Sequence, residues 1–233
     1  YYLCHPSPSE SPNARKARVE LLETLNFKRA LKNFPASLVY ERRMISYLVS
    51  HPKDYVGALK RLPSRLRLLF VNAYQAFLFN EILSERILSH YPLNEALEGD
   101  WVLKLKEPGL AASPFKASAN KLEEINDGIK GGRLALALPV VGYRTTLSGG
   151  AQGALERSIL EREGVAQRDF YIGPMPEASS AGNFRTALAP VKDVEFKLND
   201  RSATFKFFLL KGSYATAFLR EIMKPKDPVK AGF

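Results

Sequence analysis

The chain has 233 residues, 45% of them hydrophobic, enough to bury a core in one or two domains. It carries 34 Lys and Arg against 24 Asp and Glu, a formal charge of +10, which favours a polyanionic partner, nucleic acid first among them. A single cysteine, Cys4, excludes an intrachain disulfide, three scattered histidines exclude a zinc-ligand spacing, and no apolar run reaches the length of a membrane-spanning helix.

Tyr1-Tyr2-Leu3-Cys4 lacks the basic and apolar regions of a secretory signal. The expected compartment is the cytoplasm, with the nucleus open for a eukaryotic source. Because the first residue is Tyr rather than Met, a cut or processed piece is expected. Residues 5–13 hold three prolines and three serines and read as a linker. A helix capped near Asn13 then runs to about Phe34, with Leu21, Leu22, Leu25, Ala30, Leu31 and Phe34 on one face and Pro35 as its breaker. Residues 38–50 and 53–60 read as two further helices.

Pro63-Ser64 opens a long helix whose apolar face is expected at Leu66, Leu69, Phe70, Ala73, Phe77 and either Leu78 or Glu81, continuing through Ile82, Leu83 and Ile87. Phe77 and Phe79 read as core. Residues 101–105 alternate as a strand and 108–113 read as a loop. Residues 118–130 form a helix stopped by Gly131-Gly132. An apolar strand over 134–141 and a helix over 152–163 follow. Residues 170–183, rich in Pro, Gly and Ser, are the best boundary in the second half. Strands at 184–188, 194–198 and 204–209 come next, the last two joined at Asn199-Asp200, and a helix over 213–223 ends the pattern. The fold class is α+β: a helix-rich first part followed by antiparallel strands and a helix.

Lys211-Gly212-Ser213-Tyr214 lies where a strand meets a helix. With Ser213 as the cap and Lys211 beside free helix N–H groups, it has the physics of an anion site. An ordinary cap with a solvated lysine fits the same residues. Tyr214 could stack on a base or simply pack. On the long helix, Asn72 and Gln75 can share a face; with Tyr74 and Asn80 they could bond to bases or fix the helix against neighbouring loops. Arg42, Arg43, Lys60, Arg61, Arg65 and Arg67 form a basic stretch suited to phosphates, or a charged helix face. Arg185 is a lone strand arginine with the same two readings. Gly149-Gly150-Ala151-Gln152-Gly153 lacks the Lys-Ser/Thr of a phosphate loop, and no G-x-S-x-G is present. Of the seven aspartates most read as turn or cap residues, and none is a marked nucleophile.

Four stretches together carry a resemblance. They are GALKRLP at 57–63 running into FVNAYQAFLFN at 70–80 and LSERI at 83–87; LPVVG at 138–142; residues 182–188 with Arg185; and 205–222 with KGSYAT and LREI. The sequence resembles the TruD family of tRNA pseudouridine synthases, most like its archaeal and eukaryotic branch. The resemblance implies an isomerase acting on a tRNA uridine, that of a pseudouridine-13 synthase. It needs neither cofactor nor metal, and its partner is tRNA. In such enzymes an aspartate attacks the flipped-out nucleotide, the glycosidic bond breaks, and the base is rejoined through carbon. By the same resemblance, residues 1–182 correspond to the family's insertion domain with flanking helices, and 183–233 to the C-terminal segment of the catalytic domain. The family's aspartate segment and its N-x-F-G-x-x-R-F-G motif have no match here. The expectation is that the chain begins after both, lacks the nucleophile, is inactive alone, and is completed by the remaining N-terminal half. Tyr214 matches the family's aromatic and is the expected active-site wall. Lys211, Gly212, Ser213 and Arg185 are expected to touch RNA or that missing half. A non-catalytic RNA-binding module of the same fold is the alternative.

Overall fold

The structure, a computed structural model, describes residues 1–7, 9–105, 111–209 and 213–232. They form two compact units. One comprises Tyr1–Phe77, Gly142–Arg144 and Ala166–Gly182; the other comprises Leu78–Val141, Thr145–Val165 and Asn183–Phe233.

The first unit is helical. Helix α1 (Pro12–Thr24) starts at Ser11, whose side chain accepts from the Ala14 N–H, with Pro12 in the first turn. The single helix expected to Phe34 is in fact two. Leu25 adopts a left-handed φ of 47°, and Asn26 caps a new helix, α2 (Phe27–Asn33), accepting from Arg29 N at 3.0 Å. A strong capping side chain outweighed the continuous apolar spacing. Helices α3 (Val39–Ser50) and α4 (Tyr55–Lys60) follow, the latter capped by Asp54. Leu21, Phe34, Met44, Ile45, Leu48 and Leu62 are buried in one core across these helices. Arg18 is buried beside it, bonding Glu10, Glu41 at 2.8 Å and the Tyr2 carbonyl at 2.7 Å, so its charge is paired rather than stranded. Two later stretches complete the unit: Tyr143 N and Arg144 N donate to the Ser180 and Ala181 carbonyls, both at 3.1 Å.

Helix α5 (Ser64–Leu88) belongs to the first unit up to Phe77 and to the second from Leu78. Its buried stripe shares Leu78 and Ile82 with the expected one and departs from it elsewhere. Gln75, Leu78, Phe79, Ile82 and Arg86 are the buried positions, whereas Leu69, Phe70 and Phe77 are exposed. The three-four spacing is present twice on this helix, and burial chose the stripe that contains a glutamine and an arginine. Phe79 is core as expected; Phe77 is not, and lies 6.0 Å from the Tyr74 ring. Asn72 is exposed while Gln75 is buried, so the two do not share a face.

The second unit is built on an antiparallel sheet of order β2-β1-β3-β4: β1 (Trp101–Leu105), β2 (Ala111–Lys116), β3 (Leu134–Val140) and β4 (Asn183–Thr186). Strand β2 takes in residues 111–113, expected to be loop, and runs on through Pro114 at a sheet edge, where a missing N–H is tolerated. Helix α6 (Leu122–Lys130) covers one face, packing Ile125 on Val102, Ala117 and Leu136. Helix α7 (Gly150–Arg162) meets α5 through an Arg162–Glu81 ion pair at 2.6 Å. Strands β5 (Val191–Asn199) and β6 (Ser202–Leu209) form a separate ribbon. Its turn is Asp200-Arg201, one residue later than expected, because Asn199 still pairs with Ser202. Helix α8 (Ala215–Met223) follows, with Phe218 4.7 Å from Phe207. No described residue of β5, β6 or α8 is buried; Phe196, Leu198 and Phe208 are all more than half exposed.

Candidate functional site

The basic stretch expected to meet phosphate divides into two kinds of arginine. Arg42 donates to the Leu31 and Phe34 carbonyls, both at 2.7 Å, and so holds the C-terminal end of α2. Arg67 donates to the Lys60 and Leu62 carbonyls and pairs with Glu177, tying the start of α5 to the 166–182 stretch of its own unit. The Glu177 carboxyl is held below its usual range by its own backbone N–H and by Arg67, with the charge of Lys60 adding to the effect. These two arginines are structural.

Arg43 and Arg61 are different. With Ser46, Tyr47, Ser50 and His51 they line an open groove along α3 and the end of α4, and the stretch between Leu31 and Arg61 encloses about 580 Å³. The Arg61 guanidinium lies 4.3 Å from the Tyr47 ring centroid, and that ring stacks on His51 at 4.4 Å. The Tyr47 hydroxyl donates to Asp54 at 2.7 Å, which raises its pKa and lowers that of Asp54. The result is a fixed cation on an aromatic step, a surface that can meet a phosphate and a base together. Lys60 and Arg65 are exposed beside it.

Tyr214 is 70% exposed and keeps an extended backbone, φ −107° and ψ 116°. The helix therefore begins at Ala215, with Tyr214 rather than Ser213 in the capping place and no side-chain cap bond. The Tyr214 carbonyl accepts from Ala217 N at 3.1 Å, the backbone bond that opens the helix. Lys211 and Gly212 lie outside the described residues. Arg185 sits on the edge strand β4, exposed, its guanidinium 4.9 Å from the Phe79 ring centroid. On α5, Asn72 and Asn80 are exposed, Tyr74 lies near Phe170 at 6.3 Å, and Gln75 is buried and engaged. The structure gives no shared cluster for these four.

Sequence reasoning missed a buried polar network in the second unit. Arg86 is fully buried and all five of its N–H donors are used. Nε donates to Pro92 O at 2.9 Å, Nη1 to Asp100 at 3.1 Å and Gln152 at 2.8 Å, and Nη2 to Asp100 at 2.8 Å and Glu95 O at 3.5 Å. Gln152 passes a bond to Glu156 at 3.1 Å, and Glu156 accepts from Ser148 N and Oγ at 2.8 and 2.7 Å. Burial pushes the Glu156 carboxyl upward against these bonds, and the charge of Asp100 adds to the rise. The signal was in the sequence: Ile82 and Arg86, like Gln152 and Glu156, are one turn apart, so a polar residue falls on each buried stripe.

The aspartates fill structural roles. Asp54 caps α4, Asp169 accepts from Ala166 N, Asp227 accepts from Lys230 N, and Asp200 lies in the ribbon turn. Asp100 closes a turn with Leu97 and is also the buried partner of Arg86.

Comparison with known proteins identifies the lineage. A family model described as tRNA pseudouridine synthase D (TruD) matches residues 1–222. A Methanosarcina mazei protein described as "Probable tRNA pseudouridine synthase D" is 37% identical over 231 residues, 96% of this chain and 53% of that protein. A Methanopyrus kandleri protein of the same description is 40% identical over 218 residues, 93% of this chain and 47% of that one. The crystal structure of the Methanosarcina mazei protein matches with a TM-score of 0.90 at 37% identity, covering 98% of this chain and 54% of that chain. The chain thus spans about half the length of the curated relatives it matches. With the match running from the first residue to the end of the last helix, the chain belongs to the tRNA pseudouridine synthase D (TruD) family.

Proposed function

We propose that this chain is part of a tRNA pseudouridine synthase of the archaeal and eukaryotic-like branch, isomerising a tRNA uridine, that at position 13, in the cytoplasm. The observation that carries the proposal is the family match over residues 1–222, supported by the TM-score of 0.90 to the Methanosarcina mazei structure. In this reading residues 1–182 supply the insertion domain and 183–233 the end of the catalytic domain. On the same reading the attacking aspartate lies outside these residues, as no stretch around the chain's aspartates resembles the family's aspartate segment. The exposed ring of Tyr214 supports its role as the wall against which the target base rests. The uncovered apolar side chains of β5, β6 and α8 support a partner segment that completes that domain. Lys211, Gly212, Ser213 and Arg185 contact RNA or that segment, and Arg43 and Arg61 meet tRNA phosphates.

The test supplies the chain with the remaining half of the Methanosarcina mazei relative and follows pseudouridine formation in unmodified tRNA. Product with both halves and none with either alone is expected. The charge of +10 also fits the second reading, a non-catalytic RNA-binding module. Tight tRNA binding with no product in any combination would establish that module and remove the enzyme.

A further inference from the structure

The second unit holds a cavity that neither the family match nor the reading above assigns. It opens among β1, β2, α6 and the start of β3, with a volume of about 770 Å³. Phe115 and Leu134 lie in its lining, and Lys104, Lys116, Lys121 and Arg133 stand around it, all four exposed. Glu124 is the one acidic residue of that lining. The ion pairs of this unit, Lys130–Glu95, Arg162–Glu81 and Lys206–Glu195 among them, use none of these four. The four cavity cations therefore have no carboxylate partner among the described residues.

Two of them lie near aromatic rings. The Lys104 ammonium lies 5.9 Å from the Phe115 ring centroid, and the Lys116 ammonium 5.2 Å from that of Trp101. A cationic rim over an aromatic and aliphatic floor fits a ligand that alternates anionic and flat apolar parts. An acidic peptide matches the rim but leaves the floor empty. A single-stranded nucleic acid matches both, with one phosphate and one π-face per nucleotide.

The geometry points to a contact site for a single-stranded stretch of RNA, with phosphates on Lys104, Lys121 and Arg133 and a base over Phe115. The inference rests on reading the chain as an RNA-directed protein, and it does not involve Tyr214.

The experiment compares wild type with the Lys104→Ala/Lys121→Ala/Arg133→Ala variant by fluorescence anisotropy, using unmodified tRNA and a labelled oligouridylate over a salt series. Three lost contacts at a slope of about 0.7 each should make the logarithmic salt dependence shallower by about 2 and weaken binding on the order of 100-fold at about 0.1 M salt. A wild-type cross-link from an oligonucleotide carrying 5-iodouridine should fall on the peptide holding Phe115, and this readout stands even if the variant misfolds. Equal binding by a folded variant, or a cross-link only elsewhere, overturns the cavity and leaves the wider reading intact. Displacement of RNA from the wild type by polyglutamate at equal charge overturns it in favour of an acidic peptide. No binding of either RNA by the wild type overturns both.

Discussion

Replacing Arg86 by Met tests whether the buried network holds the second unit together. The substitution keeps an apolar stem of similar reach and removes five donors at once. Five acceptors lose a partner, and Asp100 keeps only the Leu97 N–H, at 2.8 Å, for a carboxylate that is fully buried. Breaking one side of such a pair typically costs about 3–5 kcal/mol, because the surviving charge is stranded in a low-dielectric site. That corresponds to a fall in the folding constant of about two to four powers of ten. Trp101 is the only tryptophan and begins β1 next to Asp100, so its fluorescence during urea unfolding reports on this unit. The partner substitution, Asp100→Asn, closes a double-mutant cycle, in which a coupling of about 2 kcal/mol is expected. A loss below about 1 kcal/mol for Arg86→Met, or singles that simply add, would refute the reasoning.

Three further outcomes follow from the same geometry. Glu156 has a raised carboxyl pKa in the folded state, so the native form binds its proton at higher pH than the unfolded chain does. Its contribution is fully present below the ordinary value of 4.5 and is lost as pH rises to the folded value; against Glu156→Gln, the wild-type urea midpoint should fall across that window and then stay level. A wild-type midpoint that rises there instead would contradict the assignment. Gly142→Ala would bring a methyl group to 2.2 Å from Gly182 N, both atoms on rigid backbone, and should destabilise the first unit by about 1–3 kcal/mol in thermal melts. A neutral melt would show that this backbone crossing is loose. In the reconstituted enzyme, Tyr214→Ala should lose most pseudouridine formation while its circular dichroism stays unchanged; an unaltered rate removes Tyr214 from the site.

Periodicity and punctuation made most elements legible. Asp54 before α4, Pro63-Ser64 before α5 and Gly131-Gly132 after α6 each carry a local cause that no tertiary contact overrode. The misreadings share another cause. Leu25 and Asn26 split a helix whose apolar spacing ran straight through them, because the cap acts on backbone and the pattern speaks only of side chains. On α5 two apolar stripes were available, and choosing between them needed knowledge of what lay opposite. The basic stretch was visible as charge, but charge alone does not tell Arg42, spent on carbonyls of α2, from Arg61, presented on Tyr47. Family resemblance singled out Tyr214 where composition could not.

Among the described residues the ribbon of β5 and β6 has two free edges, and its exposed Phe196 and Leu198 make it a template for pairing with other copies. Its own sequence opposes that. The register slips between Lys192 and Glu195, and Asp193 there has a left-handed φ of 51°, a bulge that coils the strand away from flat partners. Exposed charged side chains, Lys192 and Lys197 on β5 and the Lys206–Glu195 pair across the strands, further blunt edge-to-edge pairing. The ribbon can thus leave its apolar side chains uncovered for a shaped partner while resisting the fibrous self-association that such a surface would otherwise invite.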